Sequence, residues 1–245
     1  MLSLSRSLLL SALALGAAPA AALAQGGSTM APCVPGQAEP MCHTWTGTVT
    51  RVADGDSYDI DLDEARGEAR VRKSIAIRLT GVQAMELKVY RRTARQGDCW
   101  GVEAAERAES LIKAGGWKVR ISAQNPSSAS GTAEGGRSRL RRSISTQIGG
   151  QWVDVGSKLV EEGLALPFPA HPEDQWNGKY QELAQQAAQA RRAMWSGAHC
   201  DPAPPANVRV WLNYDADSND GGNLNDEFIT VKNLDVSSSL NLGGW

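Results

Sequence analysis

Asp54-Gly55-Asp56-Ser57 is a tight acidic turn between two runs of alternating apolar residues. Further along, Ile77-Arg78-Leu79-Thr80-Gly81-Val82-Gln83-Ala84-Met85-Glu86 reads as a strand that carries one arginine into a turn ending in a glutamate. Beyond that, Arg137-Ser138-Arg139-Leu140-Arg141-Arg142 is a strand dense in arginine. Each stretch alone has an ordinary explanation: a hairpin turn, a barrel-rim arginine, a solvated strand face. Together they are the parts of metal-assisted phosphodiester chemistry. Carboxylate oxygens suit a hard cation, which polarises a phosphoryl oxygen and acidifies a water. Planar guanidinium groups bind two phosphate oxygens at once and stabilise transition-state charge. A glutamate in reach of the attacking water suits a general base.

Several elements must position these groups. Trp45 to Val52 and Tyr58 to Leu62 read as a hairpin around the acidic turn, and Ser74 to Val82 as a third strand. Residues 63–73 are charged and read as a loop, and residues 87–98 as basic and irregular. Cys99 to Ala114 has apolar residues at helical spacing and stops at Gly115-Gly116. Trp117 to Ala123 and Arg139 to Gln147 are the fourth and fifth strands, around a Ser/Gly-rich stretch (residues 124–137) expected to be a mobile loop. Val155 to Ala165 and His171 to about Trp195 are predicted helices. The fold class is α+β: five strands and three helices suit a Greek-key OB-type β-barrel capped by helices.

The chain has 245 residues and a formal charge of −2. That total hides an asymmetry: residues 201–245 hold seven acids and two bases, and the arginines cluster upstream. Such clusters matter more for phosphate than total charge does. Residues 1–24 carry Arg6, an apolar run from Leu8 to Leu15 and a small-residue site at Ala22-Leu23-Ala24, which together predict a cleaved export signal. The expected location is secreted or extracytoplasmic, with no membrane span. Residues 25–43, rich in Gly, Ser and Pro, read as a tether, and residues 201–205 as a linker. The four cysteines, Cys33, Cys42, Cys99 and Cys200, suggest two disulfides in an oxidising compartment. Three pairings are possible; Cys33–Cys42 and Cys99–Cys200 are favoured over a zinc site, which the spacing does not suit.

Residues 44–200 resemble the staphylococcal (thermo)nuclease family. The matching pieces are Val52–Ser57, Ile77–Val82, Glu86, Gly101-Val102-Glu103-Ala104, Gly136–Arg139, Val160–Ala165 and Ala193-Met194-Trp195, in the family's order. The resemblance implies an OB-type barrel with three helices that cleaves DNA or RNA, usually with calcium. It implies Asp56 as the carboxylate ligand of the metal, with the Ala84 carbonyl beside it and Asp54 adding charge from behind. Arg78 and Arg139 would grip the phosphate, and Glu86 would position or deprotonate the water. Arg137, Arg141 and Phe168 would contact nucleic acid; a register slip of two would exchange Arg139 for Arg137 or Arg141. Where the family commonly has a metal-binding aspartate, this chain has Gln83, a neutral oxygen donor. Weaker metal binding follows.

Residues 206–245 resemble the start of an Ig-like lamin-tail domain, through Val210, Tyr214–Asp217, Asn223–Phe228, Lys232-Asn233 and Leu242–Trp245. Its partner is not indicated. Asp215–Gly221 looks like a calcium loop with its glycine misplaced, and reads as an ordinary polar loop. The leading expectation is a secreted, metal-dependent nuclease of low sequence specificity. The alternatives are a non-catalytic nucleic-acid-binding barrel, and an extracellular interaction protein acting through the tail segment.

Overall fold

β-Branched and aromatic residues in alternation make Met41–Val52 a long strand, the wall against which the rest of the first unit is built. A computed structural model of the chain describes residues 28–63, 73–132, 138–196, 207–213, 228–235 and 237–239. In chain order the elements are β1 (Thr29–Pro32), β2 (Met41–Val52), β3 (Ser57–Leu62), β4 (Lys73–Leu79), β5 (Val82–Ala84), β6 (Leu87–Val89), β7 (Gln96–Gly97) and α1 (Gly101–Ala114). They continue with β8 (Lys118–Ala123), β9 (Ala129–Thr132), β10 (Ser138–Ile148), β11 (Gln151–Asp154), α2 (Val155–Glu161), β12 (Ala165–Pro167) and α3 (Asn177–Gln189). Single 3-10 turns, Asp174–Trp176 and Ala193–Ser196, flank α3.

Five strands close into a barrel. β2 pairs antiparallel with β3 and with β8, β3 with β4, and β8 with β10. The parallel pairing of β4 with β10 completes the circuit. Inward side chains alternate along each strand, and Val49, Ile60, Ile77, Ile121 and Ile144 are all buried. Helix α1 adds Ala104, Ala108, Leu111 and Ile112 to the same core. Helices α2 and α3 add Val155, Leu159, Leu183 and Ala184. Arg107 on α1 makes a two-pronged ion pair with Glu162, just past α2, at 2.7 and 2.6 Å. The closed barrel with three helices agrees with the OB-type expectation.

Six stretches differ from the sequence expectation, two of them being residues 87–98, where β6 pairs with β7, and the expected third strand, which ends at Leu79 before Val82 opens β5. Part of residues 25–43 is not a free tether: β1 pairs with β2, and the Cys33–Cys42 disulfide closes the connection between them. Within residues 124–137, Ala129–Thr132 is ordered as a strand on β10. The third helix is shorter than expected because the chain beyond Gln189 turns back. The Met194 amide donates to the Gly163 carbonyl at 3.2 Å, and Arg191 and Ala193 take positive φ angles of 49° and 41°. Helix α2 stops at Glu161, since Gly163 turns with φ 74° and the following residues pair with β5 as β12. Residues 64–72 of the expected charged loop lie outside the described residues.

Cys99 is disulfide-bonded; Cys200, its expected partner, lies outside the described residues, as do residues 1–27 with the expected export signal. No helix of the described residues is long and apolar enough to cross a membrane.

The chain divides into two units, Met1–Ser196 and Gly197–Trp245. Of the second, the structure describes an antiparallel hairpin of β13 (Val208–Asn213) and β14 (Phe228–Asn233), with Val208 opposite Asn233. The alternating apolar residues of the sequence predict strands over Val208 to Tyr214 and Phe228 to Leu234, and β13 and β14 lie there. The Asp215–Gly221 loop and most residues of the lamin-tail resemblance lie outside the described residues, and a lone hairpin does not establish an Ig-like sandwich.

Candidate active site

The acidic turn is built to lie flat. Asp54 Oδ1 accepts the Asp56 amide at 3.1 Å, and the buried Tyr58 hydroxyl donates to the Gly55 carbonyl at 2.7 Å. A Cβ at Gly55 would sit 2.7 Å from the Ala84 Cβ and 2.9 Å from the Ala104 Cβ. Only glycine therefore lets the turn close against β5 and α1. The result carries the Asp56 carboxylate to the Ala84 amide, which donates to its Oδ2 at 2.6 Å.

Asp56 is 1% exposed and Asp54 5%. The Asp56 Oδ1 accepts from Arg78 and, at 3.2 Å, from the Ser57 hydroxyl. Burial, and next the charge of Asp54, push the Asp56 carboxyl up to about 7; Arg78 and the Ala84 amide pull the other way. Two buried carboxylates thus share the turn, and one buried guanidinium pairs with Asp56.

Arg78 is the centre of the cluster. β4 places it between Ser57 on β3 and Arg141 on β10, each opposite it in register. Besides Asp56, its guanidinium donates to the Gln83 side-chain oxygen and, at 3.4 Å, to the Val82 carbonyl. The Gln83 amide nitrogen donates to the Ala84 carbonyl at 2.9 Å and to Glu86 Oε1 at 3.2 Å. The Glu86 backbone is fixed as well: its carbonyl accepts the Asp98 amide at 2.9 Å.

Arg139 reaches the same place from β10. Its Nε donates to the Ser130 carbonyl at 3.2 Å and a terminal nitrogen donates to the Ser57 hydroxyl at 3.3 Å. Arg141 donates to the His171 carbonyl at 3.3 Å. A pocket of about 230 Å³ is lined by Arg78, Gln83, Glu86, Arg139, Arg141 and Phe168, among others. Phe168, 57% exposed, is held by its amide to the Gly81 carbonyl at 2.9 Å. Arg137 lies outside the described residues.

Arg142, next in the run, serves the scaffold. It is 1% exposed and donates to the carbonyls of Pro126, Ser128 and Arg141 at 2.6, 3.2 and 2.7 Å. It lies 4.9 Å over the Trp45 ring, and burial pulls it down to about 10. Glu173 accepts the amides of Gln124 and Asn125 at 2.7 and 3.0 Å. These two side chains order the stretch expected to be mobile, and so set Ser130 under Arg139.

Two contributors carried no role in the sequence reading. Ser57 bridges Asp56 to Arg139, and its only signal was its place after Asp56. Ser130 acts through its carbonyl, for which a side-chain pattern has no signal.

Donor type decides what cation these residues could hold. The oxygens of Asp56, Asp54, Gln83 and the Ala84 carbonyl fit a hard divalent ion, and the excess of buried carboxylate over guanidinium favours one. Formal charge falls short: among the described residues no three His, Cys, Asp or Glu side chains gather as a metal cluster.

Residues 76–197, just under half of the chain, match the family model described as staphylococcal nuclease homologue. No curated protein matches the chain. The matched segment holds Arg78, Gln83, Ala84, Glu86, Arg139, Arg141 and Phe168, and begins after the acidic turn. Over residues 76–197, then, the chain is similar to the staphylococcal nuclease homologues, whose members are phosphodiester hydrolases.

Proposed function

We propose that this protein is an exported, calcium-dependent nuclease that hydrolyses phosphodiester bonds in DNA or RNA with low sequence specificity. The observation that carries this reading is the convergence of Arg78, Arg139 and Arg141 with Glu86 around one pocket. Phosphate binding alone would not require the glutamate. The Cys33–Cys42 disulfide supports an oxidising location.

Arg139 and Arg141 bind the phosphate from β10. Arg78 stabilises the charge that builds on its oxygens. Glu86, at the pocket edge, takes the proton of the attacking water. Phe168 offers an exposed face on which a base can stack. A divalent cation would be held by Asp56 and the Ala84 carbonyl, with Asp54 behind; when bound, it would supply Lewis acidity at the phosphoryl oxygen. These roles address the phosphate and the face of a base, contacts that carry no sequence information, in keeping with low specificity.

The antiparallel pairing of β13 with β14 supports a lamin-tail-like start in residues 206–245, a separate module of unknown partner. The test of function is incubation of the mature protein with plasmid and with single-stranded DNA, in calcium and in chelator. Cleavage in calcium alone is the expected outcome. Binding without cleavage would favour the non-catalytic barrel.

A further inference from the structure

Gln83 stands where a carboxylate would serve a cation better, yet its amide is fully engaged. The oxygen accepts from Arg78, and the nitrogen donates to the Ala84 carbonyl at 2.9 Å and to Glu86 Oε1 at 3.2 Å. These partners admit one orientation only. Turned over, the NH2 would face a guanidinium, which has no acceptor, and the oxygen would face a carboxylate and a carbonyl, which have no proton to give. A carboxylate at this position would keep the bond to Arg78 and lose both donations. It would also set a like charge beside Glu86.

We infer that Gln83 is a positioning residue that joins the Arg78 guanidinium to the Glu86 carboxylate and so holds the base in register with the phosphate-binding group. The inference rests on the nuclease reading given above for the roles of Arg78 and Glu86. Glu86 is exposed, and its bond from Gln83 is also exposed. A glutamate on a surface turn samples many rotamers, and a charge-assisted bond from a half-buried amide narrows them. A plain ligand role for residue 83 makes the opposite forecast, since an added carboxylate would then improve the site.

The separating measurement is kcat and calcium half-saturation for the wild type, Gln83→Glu and Gln83→Asp, with Gln83→Glu repeated in a Glu86→Ala background. Gln83→Glu keeps an oxygen for Arg78 and removes the donor to Glu86. Its kcat at saturating calcium should fall about 10- to 100-fold, as for loss of an orienting hydrogen bond, while calcium half-saturation stays level or tightens. Gln83→Asp should show the same split. In the Glu86→Ala background, Gln83→Glu should cause no further loss, because its effect passes through Glu86. An unchanged or higher kcat for Gln83→Glu would overturn the inference, as would additive losses. A second readout needs no cleavage: the Gln83 side-chain NH2 signals in the amide NMR spectrum of the mature protein. They should shift on Glu86→Ala, and signals that stay in place would also overturn it. If the wild type cuts no nucleic acid, the nuclease reading fails and the NMR result decides the bridge by itself.

Discussion

At the scale of single residues, charge compensation governs the site. Arg139 is held by two neutral oxygens, Ser130 O and Ser57 Oγ, and no bond or ion pair to a carboxylate is seen among its described contacts. Its charge is available to a phosphate. Arg139→Ala should lower turnover by about 10²- to 10³-fold, the scale of losing one preorganised transition-state donor, with stability changed by no more than about 0.5 kcal/mol. Turnover and urea midpoint measured together would check this; wild-type turnover would remove Arg139 from the site. Asp56 gives a pH dependence. Its folded pKa, about 7, lies above the ordinary 3.8, so the folded state holds the proton more tightly than the unfolded chain. The stability this gives is whole below the ordinary value and is lost as pH rises towards the folded one. In chelator, wild type should therefore lose stability relative to Asp56→Asn between about pH 4 and about pH 7. Denaturation of both proteins at the two ends of that window is the measurement, and a constant difference would contradict it. Bound calcium should flatten the trend by favouring the ionised form.

At the scale of elements, the site depends on where backbones approach. The turn between β2 and β3 meets β5 and α1 only because residue 55 has no Cβ; the Ala84 and Ala104 methyls leave 2.7 and 2.9 Å. Gly55→Ala should destabilise the protein by about 1–3 kcal/mol, as overpacking does. It should also weaken calcium dependence and turnover together, since the Asp56 carboxylate would move off the Ala84 amide. A variant with wild-type urea midpoint and rate would show that the turn can give way. β10 has two tasks at once. Arg139 and Arg141 serve the pocket, while Arg142, on the opposite face, ties down residues 126–128 and covers Trp45.

For the whole molecule, every described pocket residue lies in the unit that ends at Ser196. A chain ended after Pro205, which keeps Cys200, should retain the cleavage rate and thermal midpoint of the full mature protein within error. A lost rate would give the tail segment a part in the reaction. In the exported protein no thiol should be open to alkylation without reduction; four alkylated cysteines would contradict export into an oxidising compartment.

Local chemistry made much of this legible in the sequence. Strand alternation, the Gly-Gly helix stop and the acidic turn are set by period and by residue type, so the barrel strands and α1 could be placed before any fold was known. Arg78, Glu86 and the arginine strand were legible as types suited to phosphate. Other features depended on contacts between residues far apart in the chain. Arg139 and Arg141 both face the pocket, and their separate places in it are decided by the parallel register of β4 on β10, which brings Arg141 opposite Arg78 and leaves Arg139 to reach Ser57. The order in residues 124–132 comes from Arg142 and Glu173, polar side chains that a sequence reading places on the surface. Gln83 shows the difference most sharply. In the sequence it is a missing charge. In the fold it is an amide with a partner for each of its polar atoms, because β5 and the turn after it bring Arg78 to its oxygen and Glu86 to its nitrogen.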